Sequence, residues 1–188
     1  MKIIGLAGSN VGKKTRTAMD VVLKLMRTNY PSAEVELLDL ADYQMVFSDG
    51  RDYRSYTGDT LKVTEAIMAA DAIIIGTPIF QASIPATLKN IFDLLPVNAF
   101  RDKVVSFFVT AGSPKHFLIA EHQLKPILSY MKASIVETYV FIEEKDFLRN
   151  ELINDDSHFR LARLVEDTYQ LTLLRERLRI EKDAEYDF

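Results

Sequence analysis

Hydroxyl-bearing and cationic side chains crowd a short loop near the start of the chain. The segment from Gly8 to Thr17 reads GSNVGKKTRT, and it directly follows the apolar run Lys2–Ala7. The first backbone N–H groups of a helix lack partners within the helix and carry the positive end of its dipole. A strand, a tight turn and a helix start in this order form a candidate anion site, most often for phosphate. The candidate ligands are the hydroxyls of Ser9, Thr15 and Thr17 and the charges of Lys13 and Arg16.

This loop matches the Walker A phosphate loop only in part. Lys14 stands where that pattern requires serine or threonine, and Ala7 stands in place of its first glycine. The missing hydroxyl would bind magnesium, and no later predicted strand ends in the aspartate that completes such a metal site. Nucleotide hydrolysis is therefore disfavoured. Two interpretations remain for the loop: a monophosphate site, or a tight strand-to-helix turn without a ligand.

The composition is that of an ordinary globular protein. The chain has 188 residues, a net charge of −4 and no cysteine, so we expect neither disulfides nor thiolate metal ligands. Its three histidines form no metal-binding motif, and we expect no metal site. Basic residues are dispersed and apolar runs are short, so we expect neither nucleic acid nor a membrane as a partner. We expect one cytoplasmic domain over 1–188, with a core at about 1–142 and a helical extension at about 143–188.

Short apolar runs alternate with helical periods over the first two-thirds of the chain. The run Ala72–Gly76 is continuously apolar and β-branched, as expected of a strand that is covered on both faces. The alternation predicts an α/β fold, a flavodoxin-like, doubly wound, five-stranded parallel sheet of order 2-1-3-4-5. The predicted strands are Lys2–Ala7, Val35–Leu38, Ala72–Gly76, Val104–Thr110 and Ile135–Ile142, and the predicted helices are Thr15–Thr28, Asp59–Ala70, Ile84–Leu95 (with Pro85 in its first turn) and Phe117–Met131.

The last part of the chain predicts a long C-terminal helix. Asp155, Asp156 and Ser157 provide a cap and first-turn acids, and the helical pattern continues to roughly Ile180. Two interpretations are open for its arginine-rich second half, a solvated tip or a dimer contact. The predicted apolar stripe comprises Leu161, Leu164, Val165, Leu171, Leu174 and Leu178.

A second motif follows the third predicted strand, between Gly76 and Asp93. In the predicted sheet this loop lies beside the first loop, at the switch point where ligands bind. Here the sequence resembles the NADPH-dependent FMN reductase family, through Pro78, Phe80, Ser83, Leu88, Lys89, Asn90 and Asp93 in order and spacing. The first loop resembles the family's FMN phosphate loop through Gly8-Ser9 and Thr15-Arg16-Thr17. The resemblance extends to about Met131 and does not account for Lys13 and Lys14.

The resemblance implies a flavin site formed by three loops. It implies that the hydroxyls of Ser9, Thr15 and Thr17 hold the FMN phosphate with Arg16 nearby, and that Pro78, Ile79, Phe80 and Gln81 run along the isoalloxazine ring. For Phe80, core packing is the alternative, and Lys89 with Asp93 fits an ion pair within the helix. The loop after the fourth strand would contribute Thr110, Gly112 and Ser113, although the family's paired glycines are reduced here to Gly112.

The resemblance further implies an enzyme that passes a hydride from NADPH or NADH through FMN to a small acceptor, such as a quinone, an azo compound, a flavin or a metal oxyanion. Because the cofactor carries this chemistry, no catalytic side chain is predicted.

A homodimer or homotetramer is expected. The aromatic stretch Tyr43–Tyr56 is either a binding loop, a partner's lid or a plain surface loop. His116 either orients the acceptor or the nicotinamide, or is a polar residue at a helix start. The alternative functions are a flavodoxin-like electron carrier and a non-catalytic flavin-binding regulator.

Overall fold

The computed structural model describes residues 1–185 of the chain, and the side chains of residues 1–181. Strands and helices alternate along it as the hydrophobic pattern predicts. The strands are β1 (Lys2–Ala7), β2 (Glu34–Asp39), β3 (Ala72–Pro78), β4 (Val104–Ala111), β5 (Ser134–Ile135), β6 (Val140–Glu143), β7 (Phe147–Leu148) and β8 (Glu151–Leu152). The helices are α1 (Lys14–Asn29), α2 (Gly58–Met68), α3 (Ala86–Leu94), α4 (Lys125–Tyr130) and α5 (Asp155–Glu185).

The main sheet is parallel and has the order β2-β1-β3-β4-β5, with β6 also paired to β4. This order confirms the predicted doubly wound, flavodoxin-like fold with a long C-terminal helix. The carboxyl ends of β1, β3 and β4 therefore lie side by side at one edge. The loops that follow these three strands are the loops in which the sequence places the candidate site.

The predicted fifth strand, Ile135–Ile142, is interrupted. Its first part is β5, which pairs with Val104 and Val105, and its last part is β6, which pairs with Phe108 to Ala111. Between them the chain leaves the sheet, and the Tyr139 ring stacks on Phe107 with 5.1 Å between ring centroids. Packing of this aromatic side chain against the face of the sheet replaces the ladder hydrogen bonds that a continuous strand would make.

Two helix starts differ from the prediction, and proline explains both. Pro85 precedes α3 in an extended conformation instead of lying inside its first turn. A 3-10 turn at Pro114–His116 precedes the helix predicted over Phe117–Met131, which itself consists of a wide π-helical turn over Ala120–Leu124 and then α4. Pro126 has no N–H group and cannot form the α-helical bond to residue 122, so the chain reaches α4 through a wider turn.

Helices cover both faces of the sheet, which explains the continuous apolar runs of its central strands. One apolar cluster joins the sheet to α2 and α3 and includes Ile73, Ile75 and Phe107. The other cluster joins the opposite face to α1 and α5 and includes Ile74 and Phe108. Every residue of β4 is buried, so this strand is the centre of the core.

The C-terminal part begins with strands before it becomes helical. Residues 144–152, which fall inside the predicted helical extension, form a 3-10 turn and the hairpin of β7 and β8. Turns and short strands alternate over these residues, and they lack a helical period. They therefore form a separate element before α5. No helix within the described residues is long and apolar enough to cross a membrane. The last three residues of the predicted extension lie outside the described part of the chain.

Helix α5 is anchored as far as its middle. Its predicted residues Leu161, Leu164 and Val165 are buried in the second cluster and Leu171 packs against that cluster, whereas Leu174 and Leu178 are 54% and 50% exposed. A buried polar bond adds to this packing, in which the Thr168 hydroxyl lies 2.7 Å from the Ser106 hydroxyl of β4. The predicted stripe therefore faces the core up to Leu171 and faces solvent beyond it.

Candidate functional site

A cavity of about 470 Å³ opens at the carboxyl ends of β1, β3, β4 and β6. Its volume lies in the range of small-molecule sites, roughly 300 to 1,000 Å³. Four short segments and two single residues form its walls. The lining residues are 11–15, 78–80, 110–112, 142–144, and the single residues Phe147 and Asn150.

The N-terminus of α1 forms one wall, and no side chain caps it. Lys13 occupies the cap position without a side-chain hydrogen bond to the first turn, and that turn contains no acidic residue. The N–H groups of the first turn need acceptors, and the helix dipole favours an anion there. Within the part of the chain that the structure describes, this helix start is therefore suited to an external anion such as a phosphate group.

Thr15 and Thr110 bring two of the loops together at the cavity wall. Their hydroxyl oxygens lie 2.6 Å apart, and the two side chains are only 7% and 5% exposed. The sequence analysis singled out both residues, and the structure places both against the same cavity. Each hydroxyl has further bonding capacity, because a threonine oxygen can donate one hydrogen bond and accept two.

The first two loops are fastened to each other below the cavity. The Gly8 N–H donates to the Gly76 carbonyl at 2.8 Å, and the Thr87 hydroxyl donates to the Gly8 carbonyl at 2.8 Å. The sequence predicted that these loops are neighbours, and these bonds confirm it. Gly76 is required here because a Cβ atom would lie 2.4 Å from the ring of Phe108.

Three predicted residues of the first loop lie behind the cavity wall. The Ser9 hydroxyl donates to the Val11 carbonyl at 2.9 Å and accepts from the Val11 N–H at 3.2 Å, so it shapes the loop. Thr17 lies in the second turn of α1 and does not line the cavity. Arg16 also does not line it.

Arg16 faces the end of β2 instead. Its guanidinium donates to Asp39 at 2.8 Å and to Asp20 at 3.0 Å, and it lies 3.7 Å from Asp42. The bond to the buried Asp39 carboxylate is the main cause that raises the pKa of Arg16. The resemblance implied that the Arg16 guanidinium lies near a phosphate. In the structure it is paired with these three carboxylates.

The loop after β3 lines the cavity with Pro78, Ile79 and Phe80, while Gln81 does not line it. The Ile79 N–H donates to the Thr110 carbonyl at 3.1 Å, which extends the sheet by one residue. Gln81 and the residue after it have φ angles of 48° and 58°, in the left-handed region. This tight turn leaves the Phe80 side chain 40% exposed, so the alternative of core packing does not describe it.

The loop after β4 contributes Thr110 and Gly112 to the cavity wall. Ser113 does not line it, and its hydroxyl accepts a hydrogen bond from the Lys115 N–H at 3.3 Å. His116 ends the 3-10 turn that this serine caps and also lies away from the cavity lining.

The stretch Tyr43–Tyr56 is fixed to the flanking helices. The Asn90 amide accepts from the Ser48 N–H and donates to the Val46 carbonyl, each at 2.9 Å. Phe47 is 77% exposed at the tip. Lys89 and Asp93, on the same helix as Asn90, form the ion pair expected within α3, with 2.6 Å between Nζ and Oδ1.

Sequence reasoning missed the wall that comes from the C-terminal part of the chain. Glu143 ends β6 and Glu144 follows it, and Phe147 and Asn150 complete this wall. Lys14 also lines the cavity and forms an ion pair with Glu144. The adjacent lysines were the available signal, because two cations at a helix start oppose its dipole unless an anion is near. Within the described residues, no cluster of His, Asp or Glu could hold a metal ion.

Comparisons with known proteins identify the family of the chain and agree with its fold. Residues 1–147 match the family model for NADPH-dependent FMN reductases. The chain is 42% identical to the NAD(P)H-dependent FAD/FMN reductase of Geobacillus thermodenitrificans, over 87% of this chain and 89% of that protein. It is 30% identical to the FMN reductase (NADPH) of Escherichia coli, over 79% of this chain and 76% of that protein. Among solved structures, the apo form of an NADH:FMN oxidoreductase superposes with a TM-score of 0.73 at 23% identity, over 89% of this chain and 87% of that one.

Proposed function

The chain belongs to the NADPH-dependent FMN reductase family, and from this premise we propose that its cavity holds FMN and passes a hydride from NADPH or NADH to a small oxidised acceptor. When bound, FMN supplies the hydride-accepting ring, which explains why no acid–base pair is needed in the cavity wall. The acceptor classes are quinones, azo compounds, free flavins and metal oxyanions.

The observation that carries this proposal is the uncapped start of α1 beside the buried Thr15 hydroxyl. Backbone N–H groups, one hydroxyl and the two lysines at positions 13 and 14 offer the donors that a phosphate group requires. In this proposal Thr15 and the first turn of α1 bind the phosphate. Ser9 and Arg16 then act indirectly, since Ser9 shapes the loop and Arg16 fixes α1 to the end of β2.

The flavin ring needs an apolar surface with a few polar groups at its edge. Pro78, Ile79 and Phe80 provide an apolar wall on one side, and Phe147 provides one on the other. Gly112 leaves the loop after β4 without a side chain at the cavity. We propose that backbone groups of these two loops orient the ring, with Gln81 and Ser113 fixing the turns.

The test is the visible spectrum of the purified protein after addition of FMN, followed by NADPH or NADH without oxygen. We expect a bound flavin whose absorbance is bleached by at least one nicotinamide nucleotide and recovers when a quinone is added. A protein that binds no FMN would refute the proposal. Bound flavin that neither nucleotide bleaches would indicate the electron carrier or the regulator instead.

We also propose a homodimer or homotetramer in the cytoplasm. Support for self-association comes from apolar side chains around the site end of the molecule, where Phe47 is 77% exposed and Phe117 is 50% exposed. Burying such residues against a second copy would remove a substantial apolar area from water. Light scattering during gel filtration measures the mass, and a monomer at micromolar concentration would contradict this proposal.

A further inference from the structure

A lysine at the start of α1 contacts a glutamate from the opposite wall of the cavity. Lys14 Nζ forms an ion pair with Glu144 Oε1, although 130 residues separate them in the chain. Both side chains line the cavity. The hydrogen bond from Lys14 lowers the pKa of the Glu144 carboxyl, so this carboxylate is ionised at neutral pH.

The charge pattern of the α1 start explains why Lys14 attracts an anion. Two lysines and no acidic residue occupy the cap position and the first turn, and this arrangement opposes the helix dipole. An anion from another segment makes this arrangement more favourable, because it offsets the positive charge at the helix start. In this structure the Glu144 carboxylate is that anion. The Lys14 side chain is 33% exposed and the Glu144 side chain is 67% exposed. Solvated pairs of this kind are weak, and their partners exchange easily.

The backbone that carries Glu144 is fixed by the turn that it begins. This 3-10 turn is closed by a capping box, in which the buried Asp146 carboxylate accepts from the Glu143 N–H at 2.8 Å. The Glu144 carboxylate also lies beside the loop after β4, where a Cβ atom on Gly112 would be 3.7 Å from Oε2. Lys14 reaches it through a long, flexible side chain. A change of partner therefore needs only side-chain rotation and no movement of the backbone.

We propose that Glu144 competes with the FMN phosphate for Lys14 and thereby weakens the binding of phosphorylated flavin at this site. This inference rests on the proposed binding of FMN in the cavity. Lys14 then has two alternative anionic partners, a carboxylate built into the wall and the phosphate of the ligand. The carboxylate that remains in the wall also repels the phosphate. Both effects require the phosphate and leave the affinity for riboflavin unchanged.

Glu144→Gln and Lys14→Gln separate these contributions. Glu144→Gln frees the lysine and removes a negative charge, so FMN binding tightens about two- to fivefold, the range of a solvated ion pair. Lys14→Gln removes a charge-assisted bond to phosphate and weakens FMN binding about tenfold. When Lys14 is already replaced, Glu144→Gln has a smaller effect, because the competition no longer exists and only the repulsion between the carboxylate and the phosphate remains to be removed.

The experiment is a flavin fluorescence titration of the wild-type protein, both single variants and the double variant, with FMN and riboflavin as the probes. The matched control is Glu121→Gln, which removes the same charge from an ion pair with Lys125 at 2.6 Å that does not line the cavity. We expect tighter FMN binding in Glu144→Gln only, and equal riboflavin binding in all five proteins.

Each of three results would overturn this inference and leave the proposed function intact. They are an FMN affinity of Glu144→Gln equal to that of the control, an equal tightening for riboflavin, and a full effect of Glu144→Gln in the absence of Lys14. Failure of the wild-type protein to bind either flavin would be a different result, because it would refute the proposed function and the inference with it.

Discussion

The hydroxyl pair of Thr15 and Thr110 makes a specific prediction about stability. Thr110→Val keeps the shape of the side chain and removes the hydroxyl that lies 2.6 Å from the Thr15 hydroxyl. Because Thr15 is only 7% exposed, its hydroxyl then has no partner in the wall and little access to water. Leaving a buried polar group without a partner costs about 1 to 3 kcal/mol. We place the loss near 1.5 kcal/mol, since the pair borders a cavity.

The double variant decides whether this reasoning is correct. Thr15→Val alone leaves Thr110 without its partner and costs a similar amount. Replacing both threonines leaves no unpaired hydroxyl, so the double variant loses less free energy of unfolding than the two single losses combined. The difference is a coupling energy of about 1 kcal/mol or more.

Urea unfolding of the flavin-free protein measures these free energies. Thr64→Val is the matched control, because the buried Thr64 hydroxyl donates to the Thr60 and Leu61 carbonyls of its own helix. Its loss leaves no hydroxyl unpaired, so Thr64→Val and Thr110→Val should be additive. Additive losses for Thr15→Val and Thr110→Val would refute the assignment of a shared hydrogen bond.

The same variants separate stability from binding. Thr15→Val removes a proposed donor to the FMN phosphate and should weaken FMN binding about tenfold. Thr110→Val leaves the Thr15 hydroxyl free for the ligand, so its FMN affinity should change less than about threefold. Equal losses of affinity in the two variants would contradict the proposed role of Thr15.

Three further perturbations test other parts of the structure. Gly76→Ala places a Cβ atom 2.4 Å from the fully buried Phe108 ring and should cost about 3 kcal/mol of unfolding free energy in urea. Arg16→Gln leaves the buried Asp39 carboxylate without its cation and should cost about 1 to 2 kcal/mol, with little change in FMN affinity. Burial raises the pKa of Tyr139, so the stability that this phenol contributes is present below about pH 10 and is lost as the pH rises further. Tyr139→Phe should therefore flatten the alkaline end of the stability profile in urea.

Each of these variants has a matched control. Gly5→Ala should cost less unfolding free energy than Gly76→Ala, because its Cβ would meet the flexible side chains of Leu23 and Met19 at 2.7 and 2.8 Å. Arg27→Gln, on the same helix as Arg16, removes only a bond of 3.3 Å to a carbonyl and should change neither stability nor binding. Tyr130→Phe, at a side chain that is 66% exposed, should change the unfolding free energy less than Tyr139→Phe does. A larger effect in any control than in its partner would contradict the corresponding explanation.

The sequence predicted the sheet because its strands carry a strong local signal. Continuous apolar runs such as Ala72–Gly76 can form only where both faces are covered, and here helices cover them. The break between β5 and β6 left no such signal. It depends on Tyr139 packing against Phe107, and no local pattern shows which aromatic rings meet across the fold.

The candidate site was predicted where one loop follows one strand and was missed where distant segments meet. Thr15, Phe80 and Thr110 each lie at the end of a predicted element, and each lines the cavity. Arg16 was assigned to the phosphate by its position in the loop, but the direction of its side chain is set by the carboxylates near the end of β2. Lys14 and Glu144 meet only because β6 runs parallel to β4.

The cavity joins segments that are far apart in the chain, and this has a consequence for biosynthesis. Residues 11–15 are translated early, but the wall at 142–150 is made only after most of the chain has been translated. A nascent chain that stops before β6 has the helix start and the loops after β3 and β4, yet it lacks one side of the cavity. Because a ligand stabilises only the state that it binds, we expect flavin to stabilise this protein mainly after residues 142–150 have been synthesised.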